Sequence, residues 1–242
     1  MEAKQILASE TAQTEHTEQN AQNEPGPTIL FLTDESGSMG VLGSTPMEEL
    51  HLFVSGQVAS LPPQEQNNSK EKKENKEQAL KINLQIEVSF FGGASTSDKT
   101  SGSRVVYPLG PIESCKVPFS LYHPDGGTPL RDAVLKITDT YENKSKVILV
   151  VLTDGDDTSS SSKNTVTLVK ERLFCLTKTK EWRTIFIGPA HLEQKLTKEY
   201  GLDMYVPFQM SQNHEETSSS MSGSMARASK SVSTMCSQMS GH

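Results

Sequence analysis

Residues 28–40 read TILFLTDESGSMG: a short apolar run from Ile29 to Leu32, then Asp34, Ser36 and Ser38 spaced two apart around Gly37. A brief, continuous apolar run is the mark of a strand buried on both faces of a parallel sheet, where alternation is not needed. Working outward, similar runs occur at 82–91 (INLQIEVSFF), 146–153 (KVILVVLT) and 183–188 (RTIFIG), with a weaker one at 204–208. The segment RVVY at 104–107 suits an edge strand closed by Pro108. Between these runs, apolar residues recur at helical spacing over 47–61, 130–141, 164–177 and 190–200. Too few residues separate Phe90 from Tyr107 for a crossover helix, so those two strands are expected to pair as an antiparallel hairpin. The alternation predicts an α/β, Rossmann-like, doubly wound fold. Its central sheet is mostly parallel with one antiparallel edge hairpin, and helices cover both faces.

At 242 residues the chain suits one such domain, expected over 28–210. Only 34% of residues are hydrophobic and the mean hydropathy is −0.48, so some of the chain is expected to lie outside any core. Residues 1–27 carry one Lys against five Glu, net −4, and only Ile6 and Leu7 as large aliphatics; a disordered acidic tail is expected. Residues 62–78 hold four Lys and four Glu with no apolar side chain, which reads as a solvated insertion. Residues 211–242 are rich in Ser and Met, yet Met221, Met225, Ala228, Val232, Met235 and Met239 form a one-sided stripe. That spacing predicts an amphipathic helix at about 217–239 packing on the domain.

The formal charge of −7, from 23 basic and 30 acidic residues, argues against a nucleic-acid partner, which needs clustered Lys and Arg. Cys115, Cys175 and Cys236 lack paired spacing and suit a reducing compartment, as small hydrophobes in or near helices. The polar N-terminus has no apolar signal segment, and no run approaches the roughly 20 apolar residues that span a bilayer. A soluble, cytoplasmic location is expected, with no membrane span.

The chemistry lies at three strand ends. D-x-S-x-S places one carboxylate and two hydroxyls within five residues, and Gly37 gives the turn the freedom to aim them together. Alone the pattern is weak, since Asx and Ser turns that cap a helix look the same. Two further segments strengthen it: G-G-T-P-L-R-D-A at 126–133, with Thr128 before a helix that starts on Pro129, and V-V-L-T-D-G at 150–155, with Asp154 ending the most apolar strand. In a parallel sheet the carboxyl ends of the strands share one edge, and ligands bind there where strand order reverses. Asp34, Ser36, Ser38, Thr128 and Asp154 are thereby brought towards one crevice. An all-oxygen set of this kind suits a hard divalent cation.

Over roughly residues 28–235 the chain resembles the von Willebrand factor A-type (vWA) family. It has every element of that family's metal ion-dependent adhesion site (MIDAS): D-x-S-x-S on Asp34, Ser36 and Ser38, the threonine on Thr128, and the aspartate on Asp154. The forms G-G-T-P-L-x-D-A and L-T-D-G look most like intracellular bacterial, phage and related eukaryotic members. The resemblance implies a bound Mg²⁺, with Mn²⁺ or Ca²⁺ as substitutes. Ser36 and Ser38 would ligate directly, Thr128 directly or through water, and the two aspartates often through water. Few anionic ligands leave such an ion with net positive charge and an open position for a partner protein's Glu or Asp.

That implies a protein-interaction module and not an enzyme. The alternatives are a Mg²⁺-dependent hydrolase using Asp34 or Asp154, or a structural scaffold acting through its C-terminal Met-rich helix. A hydrolase would need more carboxylates, a positioned base and a phosphate-gripping cation, none of which the motifs supply. Among neighbouring residues, Asp132 is expected either to orient Thr128 or to act as a helix N-terminal acid. Glu35 and Arg131 are expected to face solvent, and Asp156 and Asp157 to be solvated loop acids. His51, His123, His191 and His214 show no metal-type spacing.

Overall fold

Backbone groups that leave water must find partners, and a run such as Ile29–Leu32, apolar on both faces, finds them only between two other strands. In the computed structural model, which describes residues 26–61, 83–92 and 103–241, this run is β1 (Thr28–Asp34), buried along its whole length. The other strands are β2 (Gln85–Phe91), β3 (Ser103–Pro111), β4 (Val147–Leu152), β5 (Arg183–Pro189) and β6 (Met204–Phe208). They form one six-stranded sheet in the order β3-β2-β1-β4-β5-β6. Every pairing is parallel except β2 with β3. The expected α/β, Rossmann-like architecture is therefore the observed one.

The helices are α1 (Thr45–Ser60), α2 (Leu130–Thr140), α3 (Val166–Lys180), α4 (Glu193–Tyr200) and α5 (His214–Met239), with short 3-10 turns between some elements. Alternate strand residues feed two separate cores. Ile29 and Phe31 of β1 and Ile148 and Val150 of β4 meet Leu50 and Phe53 of α1 and Met221, Met225, Ala228 and Val232 of α5. Leu30, Leu32, Leu149 and Val151 meet Val134 of α2, Val169 and Leu173 of α3 and Leu196 of α4. Each large aliphatic or aromatic side chain fully buried in these layers contributes about 1.5–3 kcal/mol. None of the described helices is long and apolar enough to cross a membrane.

Two boundaries differ from expectation. The edge strand β3 continues through Pro108 to Pro111, because Pro108 and Leu109 fall in an irregularity between the Tyr107–Val88 and Gly110–Ile86 pairs. A proline there forfeits no ladder bond. Helix α5 starts at His214, ahead of its apolar stripe, because the Asn213 side chain accepts from the Glu215 amide and caps it. All but the last two residues of the 1–27 tail, and the whole 62–78 segment, lie outside the described residues.

Candidate functional site

Strand order reverses at β1 and β4, which start the two halves of the sheet, so the crevice between their carboxyl ends is where a ligand is expected. Asp34 closes β1. One of its oxygens accepts from the Ser36 amide at 2.8 Å, and the other accepts from the Thr153 hydroxyl at 2.6 Å. Ser36 and Ser38 hydroxyls lie 3.1 Å apart, and Ser38 donates to Asp154 Oδ1 at 2.9 Å. Asp34, Ser36, Ser38 and Asp154 thus form one connected cluster drawn from two strand ends.

Thr128 reaches the same crevice by a different route. The Gly37 amide donates to the Gly126 carbonyl at 3.0 Å, so the glycine pair abuts the D-x-S-x-S turn. Thr128 itself is buried, and its backbone is fixed at both ends: its amide donates to the Thr158 hydroxyl at 2.9 Å, and its carbonyl accepts from the Thr158 amide at 3.0 Å. The structure bonds the first four residues directly and joins Thr128 to them through main chain.

The electrostatics are those of two carboxylates with no ion pair to a Lys or Arg among the described residues. Burial pushes Asp34 up to about 6, with the Thr153 and Ser36 bonds opposing that rise and Asp154 adding to it. Burial also raises Asp154, opposed by the Ser38 bond. The cations nearest this mouth are engaged elsewhere: Arg104 with Glu35, Arg131 with Asp157, and Lys195 with Asp156. No group of three or more His, Cys, Asp or Glu assembles among the described residues, so the donors here are hydroxyls with two carboxylates. That donor set fits a hard, oxygen-seeking cation and not one that selects imidazole or thiolate.

Several neighbouring residues take places that differ from expectation. Glu35 is fully buried, not solvent-facing: it pairs with Arg104 at 2.7 Å and accepts from the His123 amide at 2.6 Å. Arg131 folds back on Asp157 at 3.1 Å instead of facing water. Asp157 is no idle loop acid, since it also accepts from the Arg131 amide at 2.8 Å at the start of α2 and from Ser160. Burial raises the Asp157 carboxyl, but the bonds from Arg131 and Ser160 outweigh it and leave it below the usual range. Asp132 turns to the 158–164 loop, accepting from the Ser161 amide at 3.0 Å and Asn164 Nδ2 at 2.8 Å. Of its two expected roles it takes the second, as an acid in the first turn of α2, and it holds that loop instead of orienting Thr128.

Thr153, Tyr122 and Gly92 belong to the site although the sequence reading singles out none of them as a site residue; Thr153 lies within L-T-D-G itself. The Tyr122 hydroxyl donates to the Asp34 carbonyl at 2.9 Å. Gly92 has φ +93°, and a Cβ there would meet the Ser36 amide nitrogen at 2.7 Å and the Gly127 carbonyl at 3.1 Å. The glycine of F-F-G-G after a predicted strand and the threonine of L-T-D-G were the available signals; Tyr122 comes from long-range packing.

The sequence matches no protein-family model and no curated protein. Among solved structures it is similar to proximal thread matrix protein 1 from the mussel byssus, at 13% identity and TM-score 0.52, over 84% of this chain and 47% of that one. It is also similar to the pilus adhesin SpaC from Lactobacillus rhamnosus GG, at 13% identity and TM-score 0.55, over 87% of this chain and 31% of that one. The chain thus spans less than half the length of either neighbour. At these identities the likeness is one of fold: the chain has a vWA-like α/β fold.

Proposed function

We propose that the crevice is a MIDAS-type divalent-cation site, for Mg²⁺ with Mn²⁺ or Ca²⁺ as substitutes, through which the domain binds a Glu or Asp of a partner protein without turnover. The observation that supports this most is the Asp34–Ser36–Ser38–Asp154 cluster itself: the Ser36 and Ser38 hydroxyls lie 3.1 Å apart, Ser38 donates to Asp154 at 2.9 Å, and the Asp34 carboxylate accepts from the Ser36 main-chain amide at 2.8 Å. Two ligands on adjacent vertices of an octahedron with bonds of about 2.1 Å lie about 3.0 Å apart, the spacing these hydroxyls keep. A bound cation would supply a positive charge with an exchangeable position for an incoming carboxylate.

The chain's own residues set the rest. Ser36 and Ser38 would offer neutral oxygens, Asp34 and Asp154 would offset part of the charge, and Thr128, two residues after the Gly126 that bonds Gly37, would add its hydroxyl. Interaction as the function is in keeping with the adhesin among the structural neighbours. Most of the stripe on α5 is committed to the domain, since Met221, Met225, Ala228 and Val232 are buried, with Met235 and Met239 partly so, which favours the crevice over that helix as the interacting surface.

The test is calorimetric titration of wild type and Asp34→Ala with Mn²⁺ and Mg²⁺, followed by capture of an immobilised Glu- or Asp-containing peptide library with and without EDTA. Uptake by wild type alone, with chelator-sensitive capture, is the expected result. No uptake by wild type would overturn the reading, and hydrolysis of a generic phosphate ester lost in the same variant would replace it with an enzymatic one.

A further inference from the structure

Glu35 stands in the first of the two positions of D-x-S-x-S that contribute nothing to a ligand set, yet it is completely buried. Its carboxylate accepts twice from Arg104 Nη2, at 2.7 and 3.0 Å, and once from the His123 amide at 2.6 Å. Its own carbonyl accepts from the Asp125 amide at 2.9 Å. The same Arg104 nitrogen donates to the Leu121 carbonyl, and the guanidinium lies 5.1 Å from the centre of the Phe90 ring. Arg104 Nε is buried with no hydrogen-bond partner among the described residues. The Glu35 side chain is fully enclosed and that of Arg104 is 25% exposed; a carboxylate withdrawn from water costs free energy unless its partners are well matched in geometry, so such a pair favours one arrangement more than it stabilises the fold.

What the pair arranges is the segment from Leu121 to Asp125, which leads directly into Gly126, Gly127 and Thr128. We propose that Glu35 and Arg104 are positioning residues for the cation crevice: a buried clasp that ties the 121–125 segment to the turn after β1 and thereby sets where Thr128 stands opposite Ser36 and Ser38. This rests on the reading of the crevice as a cation site. Partners that orient ligands without touching the ion typically change metal affinity 10- to 100-fold when removed.

The test uses Glu35→Gln combined with Arg104→Met, which removes both charges together and leaves no unpaired ion in the interior, beside Arg104→Lys, which keeps the charge without the fork. Mn²⁺ titration is expected to show at least a tenfold weaker Kd for the double variant at a melting temperature near that of wild type, with Arg104→Lys in between. Amide exchange at His123 and Asp125, followed by NMR in chelator, is expected to quicken at least tenfold. An unchanged Kd in a folded double variant would overturn the clasp, as would unchanged exchange at both amides. If wild type itself takes up no Mn²⁺, the cation reading fails, and the exchange rates alone decide whether the clasp holds the segment. Should the double variant fail to fold, Arg104→Lys decides by the same two measurements.

Discussion

Asp34 accepts bonds from a hydroxyl and an amide but from no cation among the described residues, so its ionised form is held in the interior at a cost. Asp34→Asn keeps the shape and most of the bonding while removing that charge. Its melting temperature in EDTA is expected to equal or exceed that of wild type, while Mn²⁺ uptake is lost; differential scanning calorimetry with and without metal checks both. Gly92 makes the opposite point, that a residue carrying no functional group can matter as much. A methyl at φ +93° and 2.7 Å from the Ser36 nitrogen would strain the backbone and press the D-x-S-x-S turn away from Gly127. Gly92→Ala is expected to cost more than about 1 kcal/mol in urea unfolding and also to weaken Mn²⁺ binding.

Asp157 gives a pH dependence with a definite sign. Its carboxyl is lowered in the folded chain, so its contribution is complete above the unfolded value of 3.8 and is lost as pH falls through the lower folded value. Asp157→Asn is expected to lower the melting temperature at pH 7, and the gap to wild type should narrow below about pH 4. A gap that stays constant down to pH 3 would show that charge is not what Asp157 contributes.

At the scale of elements, the apolar runs were legible because a strand buried on both faces leaves no choice of residue type, and all of Ile29–Leu32 and Val147–Leu152 is buried. The helices were legible through their periodicity, and the three motifs could be placed because parallel strands all end on one edge. The clasp was not legible. Nothing in D-E-S-G-S says that Glu35 turns inward, since that depends on Arg104, some 70 residues away and on an antiparallel edge strand. The extent of β3 was missed for a similar reason, as a bulge that accommodates Pro108 leaves no mark on a single strand. Helix α5 rests on α1 through small and polar groups: Gln57 donates to the Ser229 carbonyl and hydroxyl at 2.8 Å, and Ser229 closes to within 2.9 Å of where a Gly56 side chain would begin. Beneath that seam Met225 is 1% exposed. Met225→Ala is expected to destabilise the domain by about 2–5 kcal/mol in urea unfolding, by lost burial and the cavity left behind, without changing Mn²⁺ affinity.

For the whole molecule, a ligand that binds only the folded state adds stability by mass action. At free Mn²⁺ one hundred times its Kd the gain is about 2.7 kcal/mol, which for a chain of this size corresponds to an increase of several degrees in melting temperature. That increase should be present in wild type and absent in Asp34→Asn.

The packing of α5 also bears on how the chain is made. This helix follows all six strands in chain order, yet it completes the layer over Phe31, Ile148 and Val150. A nascent chain arrested before residue 214 would hold a paired sheet with α1 in place but with the part of that apolar side that α5 covers open to water or to chaperones. Ribosome-stalled intermediates that end before this helix should be captured by holdases, and ones that include it should not.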